Sequence, residues 1–424
     1  MLRLLLILLA LAVAGAGWLL LLRGDDDPPS YSPVDLGHDP WAYSSDREDE
    51  FESRAAAGHS HVIYAKSPGG IVATAGRVAR WRPQIEAAAE EAGVDPDLIE
   101  GMVLLESAGR PDAQASDDLE GAVGLTQILA ETATSLLGMR VDVEQSERLA
   151  RKLERAREPR EAERIRAERA RVDERFDPEK SLAATGRYLK TAMDEFGRED
   201  LAVVSYHMGI GNLQQVLGAY GDSEASYAQL YFDASPDRHP RAYRLLAGLG
   251  DDSKTYYWRV LASREAMRLY RDDRAKLRRL ARLQAGADSA ELVLHPPDRT
   301  TSFESRDEID TATADGELRP VAGGALRPEA YGLLAYIRDG VRNVSGVRAP
   351  LTLTRTIRPD GGIHATGFAF DVSRNYASGG QAEAFQFMLD RLQALDVIAW
   401  MRDARTIHVT ASNEGRRILA ETGG

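Results

Sequence analysis

The stretch Leu104–Ile128, LLESAGRPDAQASDDLEGAVGLTQI, sets a glutamate where the helical pattern around it calls for an apolar residue. The preceding residues, VDPDLIEGMV (94–103), open like a helix, with Asp95 as cap and Pro96 at the first helical position. Ile99, Met102, Val103 and Glu106 follow the i, i+3, i+4, i+7 rule, so Glu106 continues the buried stripe. Gly109 and Pro111 predict that the helix stops soon after, which puts Glu106 in its last turn. A carboxyl group in apolar surroundings resists ionisation, and an acid kept protonated near neutral pH can deliver a proton. Periodicity alone leaves a second reading open, in which Glu106 sits at a frayed end and points to water.

Downstream residues bear on that choice. Gly121 and Gly124 precede the next helical pattern and permit close backbone approach, and Gln127 is polar within an apolar run. Farther on, LAVVSYHMGIGNL (201–213) sets Tyr206 between an apolar helix end and the glycines Gly209 and Gly211. Its hydroxyl is placed to bond a buried carboxyl group, and the glycines to shape a groove for an extended polymer.

In this order the motifs resemble the lytic transglycosylases, whose catalytic domain is lysozyme-like. The family pattern of Glu-Ser, Gly-Leu-x-Gln and Ala-Tyr-Asn-x-Gly-x-Gly reads here as Glu106-Ser107, Gly124-Leu125-Thr126-Gln127 and Ser205-Tyr206-His207-Met208-Gly209-Ile210-Gly211. The segment DPEKSLAATGRYL (177–189) resembles the helix before the tyrosine motif, and TYYWRVL (255–261) the closing motif. His207 stands where the family has Asn. The resemblance covers about residues 76–262. It implies that Glu106 is the catalytic acid and that Ser107, Gly124, Gln127, Tyr206, Gly209 and Tyr256 line the substrate site. It further implies that Glu106 protonates the glycosidic oxygen between N-acetylmuramic acid and N-acetylglucosamine, then takes a proton from the C6 hydroxyl, closing a 1,6-anhydro ring. No cofactor is implied for this domain. Asp117, Asp118 and Glu120 lie in the adjacent loop, so a hydrolytic muramidase with a second carboxylate stays open, as does a non-catalytic wall-binding scaffold.

A different pattern begins near Leu326. One helical segment, RPEAYGLLAYIRDGVRNV (327–344), precedes alternating LTLTRTI (351–357) and FAFDV (368–372), a helix at 381–394, and RTIHVT (405–410). Helices mixed with short strands predict a small α+β domain. HATGFAFDVSR sets His364 and Asp371 seven apart, and a bend at Gly367 would bring both to one side. With His408 they make a sufficient zinc set with one position open. The spacing resembles the zinc D-alanyl-D-alanine carboxypeptidase and dipeptidase family, over about residues 326–412. That resemblance implies zinc as cofactor, stem peptides as ligands and Arg355 as the group facing the substrate carbonyl. Arg405 stands where that family has its catalytic Glu, and Asp403 is the nearest acid in sequence.

The remaining segments complete the organisation. Residues 4–22 are an uncharged, mostly apolar run of bilayer-spanning length, flanked by Arg3 and the amino terminus on one side and Arg23 on the other. They predict a transmembrane anchor or signal over 1–23, attached to the inner membrane, with the rest facing the periplasm or cell exterior. Residues 24–75 predict a tether with a short ordered part near HVIYAKS (61–67). The first domain is expected over 76–265. Within it, 141–176 carries 21 charged residues of 36 and predicts a solvated hairpin of two helices broken at Pro159. One long amphipathic helix is expected at 262–285 inside a helix-and-linker segment, 266–325, before the domain at 326–424. The whole is thus expected to be a mainly α lysozyme-like domain plus a small α+β C-terminal domain behind an N-terminal transmembrane helix. The net charge of −13 argues against nucleic acid as a partner and leaves peptidoglycan glycan strands and stem peptides as those implied. The absence of cysteine excludes disulfides, thiolate metal sites and a lipoprotein anchor.

Overall fold

A computed structural model describes residues 39–116, 118–250, 252–285, 289–296, 309–310, 325–357 and 362–416. The expected anchor at 1–23 and the start of the tether lie outside these residues. Among the described residues no helix is long and apolar enough to cross a membrane.

The helical body is built from α1 (Glu48–Gly58), α2 (Arg82–Ala92), α3 (Pro96–Ser107), the hairpin α4 (Val143–Arg155) and α5 (Pro159–Val172), then α6 (Pro178–Phe196), α7 (Glu199–Met208), α8 (Ile210–Tyr220) and α9 (Tyr256–Asp272), with shorter helices between. Asp95 caps α3 by accepting from the Asp97 amide, and Pro96 occupies the first turn. The helix stops at Ser107, where Ala108 and Gly109 turn left-handed. α9 lies across α3 at Gly101, where a Cβ would sit 2.7 Å from the Val260 carbonyl oxygen. Only glycine allows so close a crossing, and it sets the first residues of α9 against the last turn of α3.

Residues 39–75, expected to form part of a tether, fold onto the body instead. Trp41 and Phe51 are fully buried, and α1 packs against α9. Widely spaced apolar residues in an Asp- and Ser-rich stretch give little periodicity, yet they suffice once a partner surface exists. The helix expected at 262–285 is also interrupted. Asp273 ends α9 and caps a second helix, Arg274–Leu283, by accepting from the Lys276 amide. The segment expected as a linker contains α10 (Ser289–Leu294), which packs on the C-terminal sheet.

That sheet is antiparallel, in the order β1 (Leu353–Arg355), β2 (Ala369–Ser373), β4 (Thr406–Ala411), β3 (Ile398–Arg402). α11 (Pro328–Ser345) and α12 (Gly379–Ala394) pack against each other and the sheet, giving the α+β unit that the alternation predicts. The buried apolar residues of the body and of this unit form one connected core. Polar ties reinforce the junction. Arg391 donates to Asp39 (2.9 Å) and to the Trp41 carbonyl (2.7 Å), and Lys254 pairs with Asp390 (2.6 Å).

Candidate active site

Glu106 sits in the last turn of α3, partly buried, on the stripe of fully buried Ile99, Met102 and Val103. The crossing at Gly101 brings Tyr256, the first residue of α9, to it. The Tyr256 hydroxyl donates to Glu106 Oε1 at 2.6 Å. Burial raises the Glu106 pKa to about 7; the Tyr256 hydrogen bond and the charge of Arg259 pull the other way without cancelling it. Near neutral pH a large fraction of this carboxyl group therefore carries a proton.

The hydroxyl that meets Glu106 belongs to Tyr256, not to Tyr206. Tyr206 donates to the Thr126 carbonyl (2.8 Å), lies 3.3 Å from Thr185 Oγ1, and stacks edge-on against Tyr188. It pins the loop that carries Gln127 rather than the acid itself. Its own ionisation is disfavoured by burial and by the nearby Glu106. His207, next along the chain, lies 2.7 Å from Ser253 Oγ and tilts over the Tyr256 ring at 4.9 Å. Gly209 joins α7 to α8 with φ +86°.

The loop that Tyr206 pins is held from behind. Gly124 has φ +84°, and a Cβ there would lie 2.0 Å from the Arg175 carbonyl oxygen. Gln127 is left-handed too, and its amide donates to Gly124 O (2.8 Å) and Ala113 O (3.2 Å). Arg175, fully buried, pairs with the equally buried Asp173 and donates to the carbonyls of Leu119, Gly121 and Ile128. The charged hairpin thus forms as two helices with Pro159 opening the second, but its exit strap is a buried clamp on the loop. Ser107 is placed differently from its expected lining role: it is buried, and its hydroxyl donates back to the Val103 carbonyl. Asp118 and Glu120 are exposed, and Asp117 lies outside the described residues.

Residues 83–229 match the family model of the transglycosylase SLT domain. The match supports a lytic transglycosylase acting on peptidoglycan, with a lysozyme-like helical domain. No curated protein matches the chain. The matched part of the transglycosylase domain contains Glu106, the Gly124–Gln127 loop and Tyr206, but it ends before Tyr256 and Arg259. Tyr256 is among the residues that the resemblance implies for the substrate site, whereas Arg259 carries no motif of its own. Tyr256 sits in a weak closing motif, and Arg259 is nearly buried and tied to Asp252 at 2.8 Å.

A second cluster lies in the C-terminal unit. Gly367, with φ +76°, reverses the chain after the turn at Ile363–Thr366, so His364 Nε2 comes to 3.2 Å from Asp371 Oδ1. Asp371 and His408 are directly paired in the β2–β4 register, and His408 Nδ1 lies 2.7 Å from the same Oδ1. Arg355, paired with Asp371 across β1–β2, reaches Asp371 Oδ2 at 3.3 Å. One ligand atom from each of His364, Asp371 and His408 lies within 4.8 Å of the others. His364 is buried, and Asp371 is the one group its Nε2 meets among the described residues. Two buried or half-buried imidazoles converging on one carboxylate fit a divalent cation. Arg405 and Asp403 are exposed on the β3–β4 turn, and Asp403 accepts from the Ala404 amide instead of facing the cluster. The acid that does reach it is Glu291 of α10, which contacts His408 Nε2 and accepts from Thr410 Oγ1 at 2.8 Å.

Proposed function

We propose that Glu106 is the general acid of a lytic cleavage between N-acetylmuramic acid and N-acetylglucosamine that leaves a 1,6-anhydro end. The observation that carries this reading is the Glu106 carboxyl group in the last turn of α3, bonded by Tyr256 and raised by burial to about 7, beside Tyr206, which pins the clamped Gly124–Gln127 loop. Protonated Glu106 donates to the glycosidic oxygen as positive charge grows at the anomeric carbon. The carboxylate so formed accepts the proton of the C6 hydroxyl, which attacks that carbon and closes the ring. No water need be activated, so one carboxyl group suffices. A glycosidase would need a second carboxyl group roughly 5–10 Å away, and Asp118 and Glu120 turn theirs to solvent. Mass spectrometry of the released fragments tests this. An anhydro product lighter by one water is expected, and reducing ends alone would assign the chemistry to a muramidase.

The same reading gives the C-terminal unit the stem peptides. His364, Asp371 and His408 would hold a zinc ion, which supplies Lewis-acid polarisation of a peptide carbonyl when bound. Arg355 is placed for a carboxylate or carbonyl oxygen. With Arg405 at the position of the expected base, binding rather than trimming is favoured. Failure to release D-alanine from a pentapeptide is expected, and release would restore the peptidase. Residues 1–23 would tether the enzyme to the inner membrane, with both units facing the periplasm or cell exterior.

A further inference from the structure

We infer that Glu291 is a positioning residue of the C-terminal cation site, and that cation binding is thereby coupled to the docking of α10. The inference rests on the reading of His364, Asp371 and His408 as a cation site and adds to it a residue from outside the domain in which they lie.

The argument is one of ring orientation. His408 Nδ1 faces Asp371 Oδ1 and the converging ligand atoms, so its free lone pair must be on Nδ1 for a cation to bind. That requires the proton on Nε2, and Nε2 is the nitrogen that Glu291 contacts. His364 repeats the arrangement. Its Nδ1 lies 2.9 Å from the Thr356 carbonyl oxygen, which can only accept, so the proton sits on Nδ1 and Nε2 is free to ligate. Each imidazole therefore has its outer nitrogen held by an oxygen acceptor and its inner nitrogen aimed at the site. Acceptors of this kind fix tautomer and ring orientation in metal centres, and their loss costs roughly 10–100-fold in metal affinity. Glu291 is itself oriented by Thr410, is largely buried, and has no contact with Arg405 or Asp403 among those described. It occupies the outer side of His408, so it orients a ligand instead of filling the role of the missing base.

The coupling follows from where Glu291 comes from. α10 precedes the unit by more than thirty residues and packs on β3. A cation that favours the Nε2–H form of His408 strengthens its bond to Glu291 and so favours the docked helix. By reciprocity the docked helix raises cation affinity by the same factor.

The test is Zn²⁺ titration of the full chain in competition with a chromophoric chelator, with hydrogen exchange at residues 289–294 as a second readout. The wild type is expected to bind one Zn²⁺, His364→Ala to lose it, and Glu291→Ala to bind about 10–100-fold more weakly. Glu291→Gln, whose amide oxygen still accepts from Nε2–H, should recover part of the loss and serves as the folded control. Zn²⁺ should slow exchange at 289–294 in the wild type and not in Glu291→Ala. If the wild type binds no Zn²⁺, the cation reading and this inference both fall. If His364→Ala abolishes binding while Glu291→Ala matches the wild type in affinity and exchange, the cation site stands and the role of Glu291 is overturned.

Discussion

Glu106 and Glu291 are the same side chain in two opposite settings. Glu106 has one hydroxyl donor and the more distant charge of Arg259, and burial outweighs both and raises its pKa to about 7. Glu291 is also buried, but His408 and Thr410 donate to it, and their effect outweighs desolvation and holds its pKa below the usual carboxylate range. Burial alone therefore does not make an acid. A carboxyl group keeps its proton where burial outweighs the donors and charges around it, and ionises where an imidazole and a hydroxyl bond it directly. The transglycosylase domain does the first at the end of α3, and the C-terminal unit does the second between α10 and β4.

The sharpest way to break this contrast is Glu106→Gln. Removing the proton donor should lower glycan cleavage by roughly 10²–10⁴-fold, the usual worth of a general acid. The same variant should gain stability on the wild type as pH rises. The folded-state pKa of Glu106 lies above its model value of 4.5, so the folded protein binds more protons than the unfolded chain between about 4.5 and about 7. Wild-type stability must then fall through that window and stay lower above it, whereas the amide has nothing to ionise. Denaturant unfolding at pH 5 and pH 8 measures the difference; a variant that tracks the wild type at both would remove the raised pKa from the account.

Arg175→Ala comes next. It strands Asp173 in the interior and frees the Leu119, Gly121 and Ile128 carbonyls. Breaking such a buried pair costs about 3–5 kcal/mol, read as a fall in the unfolding free energy. Tyr256→Phe is milder. The hydrogen bond lowers the Glu106 pKa, so its loss should push the alkaline limb of the pH–rate profile up by about one pH unit. A downward shift would mean that Tyr256 does not stabilise the carboxylate. Smallest of all is Arg148→Ala in α4. Its pair with Glu144 is exposed, and the change should stay under about 0.5 kcal/mol. Arg148 and Arg175 belong to one charged segment, and the contrast between them measures what burial adds.

That segment also marks where reading the sequence stops. The stripe through Ile99, Met102, Val103 and Glu106 was legible, because helical periodicity is local. So were the cap at Asp95, the bend at Gly367 and the helical hairpin. The resemblance places Tyr256 at the substrate site, but its bond to Glu106 was not legible. Tyr256 meets it from 150 positions away, through a helix crossing that depends on Gly101, and a lone glycine inside a helix announces no such contact. The clamp at Asp173–Arg175 hid in a run whose composition reads as solvated, since composition averages over the one arginine that turns inward. Glu291 was masked in the same way by a polar stretch, though SAELVL carries a short apolar pattern that could have flagged a docked helix.

The central claim is that the Glu106 carboxyl group still holds a proton in about half of the molecules at pH 7, where an ordinary glutamate is almost fully ionised. Carbon NMR of protein labelled at the glutamate side-chain carboxyl tests it directly, with the Glu106 resonance assigned by its loss in Glu106→Gln. A titration midpoint close to 7 is predicted. A midpoint near 4, that of an ordinary solvated glutamate, would contradict the account.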